Sequence, residues 1–322
     1  MPCVRLWQAL ACTWLILLAL PALLWAHGFA GKRFFPTTLA TDDPFVADEL
    51  SLLISHIKEP GEGEKSPTVA TEIAAEYSKR ITPSLGFSLG GEFRHLNPEE
   101  EGTESGFGNL ELGVKYQFFT SPRHEALFAL GLEAAVGGTG NHTVEAEPFS
   151  TLSPALFFGK GFGDLPEAVR YLRPLAITGL LGVNVPTRSK TVTTHRRLLN
   201  GALETEQEIE QHPVTLSWGG SLQYNMQYLQ AFVKDIGLGA PFNRMIPLVE
   251  ISLDTCLNRG CGGETTGTVN PGLIWFGKSV QLGIEAVIPI NTQTGHRVGV
   301  LGLVHFFIDD LFPHSLGRPI FR

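Results

Sequence analysis

Two runs near the end of the chain, Val280-Gln-Leu-Gly-Ile-Glu-Ala-Val-Ile-Pro-Ile290 and Arg297-Val-Gly-Val-Leu-Gly-Leu-Val-His-Phe-Phe-Ile308, decide the fold. In the first, Val280, Leu282, Ile284, Ala286, Ile288 and Ile290 share one face, and Gln281, Gly283 and Glu285 the other. In the second, Val298, Val300, Val304, Phe306 and Ile308 oppose Arg297, Gly299 and His305. A period of two with one apolar face reads as a strand, and the polar turn Asn291 to Gly295 makes the pair a hairpin. One such hairpin would suit a soluble sandwich equally well. Its recurrence along most of the chain, with Gly and short polar residues on the second face, predicts a membrane-spanning β-barrel.

Upstream of this hairpin the rhythm repeats. Strands are expected at 268–276, before the tight Gly277-Lys278 turn, at 247–253 and at 214–224, where Leu216, Trp218 and Leu222 oppose Ser217, Gly219 and Ser221. Further back, 175–185 and 151–161 are less regular, whereas Phe128, Leu130 and Leu132 oppose Gly131 and Glu133 cleanly. Leu110, Leu112 and Val114 alternate with Glu111, Gly113 and Lys115, and Leu85, Phe87 and Leu89 with Gly86, Ser88 and Gly90. Weaker strands fall at 68–78 and 49–57. The count is about twelve, and an even number returns both ends to one side. Connections alternate between long, as in the acidic Asn97 to Ser105, and short, as in Thr120 to Arg123, the arrangement of a single closed antiparallel barrel with short periplasmic turns and longer extracellular loops. Residues 163–174 have room for one helical turn, and 226–245 read as either a strand extension or a short helix.

Arg5, an apolar run from Ala9 to Trp25 and the small residues after it read as a secretory signal peptide over 1–26, cleaved after Ala26 or Ala30. Residues 27–47 show no period and are expected to be an extended segment, either periplasmic or folded into the barrel mouth. The barrel follows over 48–309 and a tail over 310–322. No other run approaches the roughly 20 apolar residues that a spanning helix requires, so a chain that crosses must do so as strands. Charged residues make up only 17% of the sequence and the formal charge is −8, which leaves no basic patch for a nucleic-acid partner. Cys256 and Cys261, with four residues between them in an exported loop, are expected to form a disulfide rather than half a zinc site, for which no His lies near in sequence.

The polar faces converge on one lumen and bring Glu72, Glu76, Glu92, Glu111, Glu125, Glu133, Glu250 and Glu285 together with Arg94, Lys115 and Arg297. Two readings follow. In one, a Glu-rich lumen passes or binds small molecules, since rings of carboxylates select cations in pores. In the other, Glu–Arg and Glu–Lys pairs fill a structural or surface-interaction barrel whose long loops do the work. No spacing singles out a nucleophile with a His, and His305 beside Phe306 reads as a wall residue, so no catalysis, metal or cofactor is expected.

In Val233-Lys-Asp-Ile-Gly237, Asn270-Pro-Gly272, Gln281 to Ile290 and His305-Phe-Phe-Ile-Asp-Asp310, the chain resembles bacterial outer-membrane barrels grouped with meta-pathway phenol-degradation transporters. The resemblance implies the outer membrane of a Gram-negative bacterium, insertion by the barrel assembly machinery, and hydrophobic or aromatic small solutes. One feature departs from the pattern. Such chains usually end in an aromatic residue that closes the last strand, whereas here Asp309 to Arg322 follow it and only the penultimate residue, Phe321, is aromatic.

Overall fold

A computed structural model describes residues 28–61, 66–100, 102–199 and 202–321; the expected signal peptide lies outside the described residues. Twelve strands form the barrel: β1 (Glu49–Glu59), β2 (Thr68–Thr82), β3 (Leu85–Pro98), β4 (Leu110–Ser121), β5 (Ala126–Val136), β6 (Thr151–Gly161), β7 (Leu175–Pro186), β8 (Thr215–Tyr224), β9 (Met245–Cys256), β10 (Thr265–Phe276), β11 (Val280–Pro289) and β12 (Gly299–Phe307). Each pairs antiparallel with its chain neighbours, and β12 returns to β1, with Leu52 opposite Val304 and Leu50 opposite Phe306. A four-residue strand, Glu104–Phe107, extends the outer end of β3. The strands run from 9 residues in β12 to 15 in β2, enough to cross the hydrocarbon at a tilt.

Alternation sorts the two faces as the sequence predicts. Leu89, Leu112, Leu130, Leu181, Leu222, Ile251 and Ile284 are exposed on the outside, while Glu250, Gln281, Glu285 and His305 are fully buried inside. In lipid such an exposed apolar wall is the solvated face, and closure pairs the backbone groups that an open edge would leave bare.

The described residues begin and end on the side of the short turns, with Gly31 against Pro122 and Phe321 N bonded to the Ile81 carbonyl. On that side the 162–174 connection holds the 3₁₀ helix Glu167–Leu172. The 225–244 connection is helical rather than a strand extension: Asn225 Oδ1 accepts from Tyr228 N at 2.9 Å and caps Met226–Tyr228, which runs on as a π turn over Leu229–Val233. On the opposite side, the long polar connection contains a hairpin, Lys190–Leu199 with Ala202–Gln211, separate from the barrel sheet. The sequence hid it because polar residues occupy both parities of these strands, so no period of two shows. Also on that side, Cys256 and Cys261 sit with Cα atoms 5.9 Å apart and are joined in a disulfide.

Two outcomes check this arrangement. Leu112→Arg and Leu130→Arg should each cost about 2–4 kcal/mol near the bilayer midplane, read from urea midpoints of vesicle-inserted protein, whereas Glu133→Gln should fold like the parent. Unchanged midpoints for the arginine variants would mean that the faces are assigned wrongly. Mass spectrometry of protein taken from the membrane should find Cys256 joined to Cys261, and two freely alkylated thiols would refute the disulfide.

Candidate functional site

The lumen is organised by residues 28–48, a strap that enters from the short-turn side, begins with a two-stranded ribbon (Phe29–Ala30 with Arg33–Phe34) and runs along the inner wall. Apolar burial sets its course. Phe34 and Leu39 join the inward-facing Ile246, Leu248, Ile274, Leu301, Leu303 and Phe307 in one buried cluster, and the Phe34 ring centre lies 4.8 Å from that of Phe276. Leu39 lies over Gly283, where a Cβ would come within 2.7 Å of its Cδ1, so a larger residue there would require the Leu39 side chain to shift. The inner faces of β9, β10 and β12 are therefore partly apolar, which their sequence pattern did not show.

Polar groups on the wall then take up the strap's exposed backbone. The Glu250 carboxylate accepts from Leu39 N (2.8 Å), Ala40 N (3.0 Å), Thr41 N (2.8 Å) and Thr41 Oγ1 (2.9 Å). Gln281 bonds Thr37 in both directions, accepting from its N–H at 3.2 Å and donating to its carbonyl at 2.6 Å. His305 Nδ1 lies 2.9 Å from Ser51 Oγ, and its Nε2 lies 3.4 Å from Thr37 Oγ1 and 3.5 Å from Glu49. Across the lumen, Lys115 Nζ reaches Asp42 at 2.7 Å and donates to the Asp43 carbonyl at 2.8 Å.

Each end of the strap is closed by ions. At its start Arg33, fully buried, bonds Glu125 at 3.1 Å and stacks 3.7 Å from the Tyr228 ring. Burial, then the Glu125 charge, push the Tyr228 phenol up to about 12, so it stays a donor to that carboxylate at 2.9 Å. At its finish Asp48 accepts from Lys79 Nζ, Arg80 N and Arg80 Nε, all at 2.8 Å. The same two cations hold the tail: Lys79 donates to the carbonyls of Leu316 and Arg318, and Arg80 to that of Gly317. Ile320 N and Phe321 N then bond the Arg80 and Ile81 carbonyls, so the residues beyond β12 dock beside the end of β2.

The expected lumen residues divide into groups. Arg94 gathers Glu72 (2.6 Å), Glu59 (3.3 Å) and Glu92 (3.9 Å) toward the long-loop end. Glu76, Glu111 and Glu133 share the middle with Lys115. Glu250 and Glu285 sit side by side next to Asn270 on the far wall, against the strap. Glu125 stands apart in the turn before β5, at φ 47°, and Arg297 lies exposed in the 290–298 loop. Pattern reading missed Asp42, Asp43, Asp48, Gln281 and Ser51 as site residues; the pair before Pro44, in a segment with no period, was the available signal.

Because the strap hugs β9 to β12, space remains on the other side. A cavity of about 220 Å³ lies between strap residues Asp42, Phe45 and Val46 and a wall that includes Glu76, Lys115, Glu133 and Asn184. Small wall residues such as Ser88, Gly113, Gly131 and Ser153 leave that room.

A solved structure of an outer-membrane channel from Pseudomonas putida F1 superimposes with a TM-score of 0.52 at 11% identity, covering 85% of this chain and 99% of that one. The fold is that of a twelve-stranded outer-membrane β-barrel. The NanC porin (TM-score 0.43, 9% identity) and the KdgM porin (0.42, 10%) also align, each over 80% of this chain and 98% of their own. No protein-family model and no curated protein sequence matches the chain.

The Glu250 anchor can be tested in place. Glu250→Ala strands three backbone N–H groups, at about 1–3 kcal/mol for a buried donor, so amide exchange at Leu39 to Thr41 should accelerate roughly 5- to 150-fold. Exchange at the parental rate would show that the apolar contacts alone hold the strap.

Proposed function

We propose that this chain is a channel of the Gram-negative outer membrane, inserted by the barrel assembly machinery, that passes small solutes past its strap without catalysis. The observation that carries this reading is the asymmetric lumen: a dry wall holding the strap on one side, and a cavity bearing both signs of charge on the other. Asp42, Glu76 and Glu133 outnumber Lys115 there and favour cations or polar ends of solutes. Phe45 and Phe157 also line the cavity and suit hydrophobic or aromatic molecules, the class implied by the four resembling stretches. Ser51, His305 and Glu49 do place a hydroxyl, an imidazole and a carboxylate in a row. The ring is fully buried against Thr37, and the three groups serve to seat the strap.

The second reading, a filled structural barrel, draws on the four hydrogen bonds at Glu250 and the ion groups at both ends of the strap. Planar-bilayer conductance with liposome swelling separates the two. The channel reading expects measurable conductance with cation preference, reduced in Glu133→Gln, and a larger conductance when residues 28–47 are deleted. A parent that neither conducts nor swells vesicles would leave the filled barrel standing.

A further inference from the structure

A second pocket, of about 510 Å³, opens on the short-turn side where the strap's ribbon meets the turn before β5. Lys32, Arg123 and Arg173 line it with Tyr228, Phe232 and the rim of Glu125. Two separate elements deliver the first two cations. Gly31, at φ 65°, lies so close to the preceding turn that a Cβ on it would fall 2.1 Å from the Pro122 carbonyl oxygen. The residues that follow each, Lys32 and Arg123, therefore reach the same rim.

The carboxylates around this pocket are already committed. Glu125 pairs with Arg33 at 3.1 Å; Asp164 pairs with Lys160 and His124, both at 3.1 Å; and Glu167 pairs with Arg170 and Arg173, both at 2.9 Å. Among the described residues none lies within ion-pair distance of Lys32 or Arg123, and the Lys32 ammonium instead sits 5.2 Å from the Phe232 ring centre. Unbalanced cations converging on a concave site lower the free energy of an anion there. Arg offers a planar fork and Lys a compact charge, a combination suited to phosphate oxygens. The pocket has space for organic atoms as well, with Phe232 and Tyr228 as apolar walls.

We propose that this pocket binds a phosphate group carried on a small organic body, bridging Lys32 of the strap to Arg123 of the wall. Two sources supply that chemistry: a soluble phosphoester, or a phospholipid headgroup at the membrane edge, toward which the partly exposed Phe232 ring of the pocket would turn. Bound there, the phosphate fastens the ribbon to the wall and holds the strap in the lumen. The site stands whether or not the barrel conducts.

The experiment uses the full refolded barrel. Glycerol 3-phosphate is titrated calorimetrically into protein in zwitterionic detergent, and nanodiscs with and without phosphatidylglycerol are analysed by native mass spectrometry for retained lipid. The expected result is one saturable site or one retained lipid, weakened at least tenfold in Lys32→Gln/Arg123→Gln and unchanged in Lys234→Gln/Arg244→Gln, which removes equal charge from the same side of the barrel. Calorimetric binding assigns a soluble ester, and retention of lipid alone assigns a headgroup. Neither signal, or equal loss in both double variants, overturns the site. Heat-modifiable migration confirms that each variant is folded, and Arg123→Gln alone, at an exposed turn, repeats the comparison if Lys32→Gln fails to fold.

Discussion

The pairing of β12 with β1 is the contact on which everything else depends. A backbone N–H or C=O left unpaired in hydrocarbon costs several kcal/mol, and an open twelve-stranded sheet would expose two edges of them. Once Leu50 and Leu52 meet Phe306 and Val304, the outer face can be almost wholly apolar, because lipid is its solvent. The same closure makes the inner face a confined volume that must be filled with side chains, chain or water. The strap is this protein's answer, and it fills the volume unevenly.

That unevenness follows from pairing polar chain with polar wall. The strap is a non-helical backbone at membrane depth, tolerated only where its amides find partners. Glu250 supplies three of these contacts from one carboxylate, and the negative charge is spread over four donors instead of being left bare in a dry place. Where the wall offers Leu, Ile and Phe, the strap answers with Phe34 and Leu39. Strands β2 to β7, which present glycines, serines and charged groups, are left facing space. Any path through the barrel is therefore off its axis, along the wall opposite β9 to β12.

Much of this architecture was legible in the sequence. Period-two runs such as 110–118 and 280–290 marked strands because one face meets lipid and the other does not, and loop lengths fixed which side was which. The strap was not legible, since its ties join residues more than 200 positions apart, such as Thr41 to Glu250 and Thr37 to Gln281. Nor was the apolar inner wall: Leu301 and Leu303 look like interruptions in the polar face of β12 until Leu39 and Phe34 are seen against them. Glu125 carried the parity of a lumen residue but lies in a turn, where its partners, Arg33 and Tyr228, come from segments that have no period.

The cluster around Asp48 ties the start of the first barrel strand to residues 316–318 through Lys79 and Arg80. The carboxylate and its two cations lie at the first two strands, but the carbonyls that complete the cluster come from beyond the last strand, more than 230 positions later. Such a cluster makes contact order high and gives the barrel no finished beginning on which later hairpins could add one at a time. A chain arrested before the tail would keep two cations short of acceptors at the strap's exit.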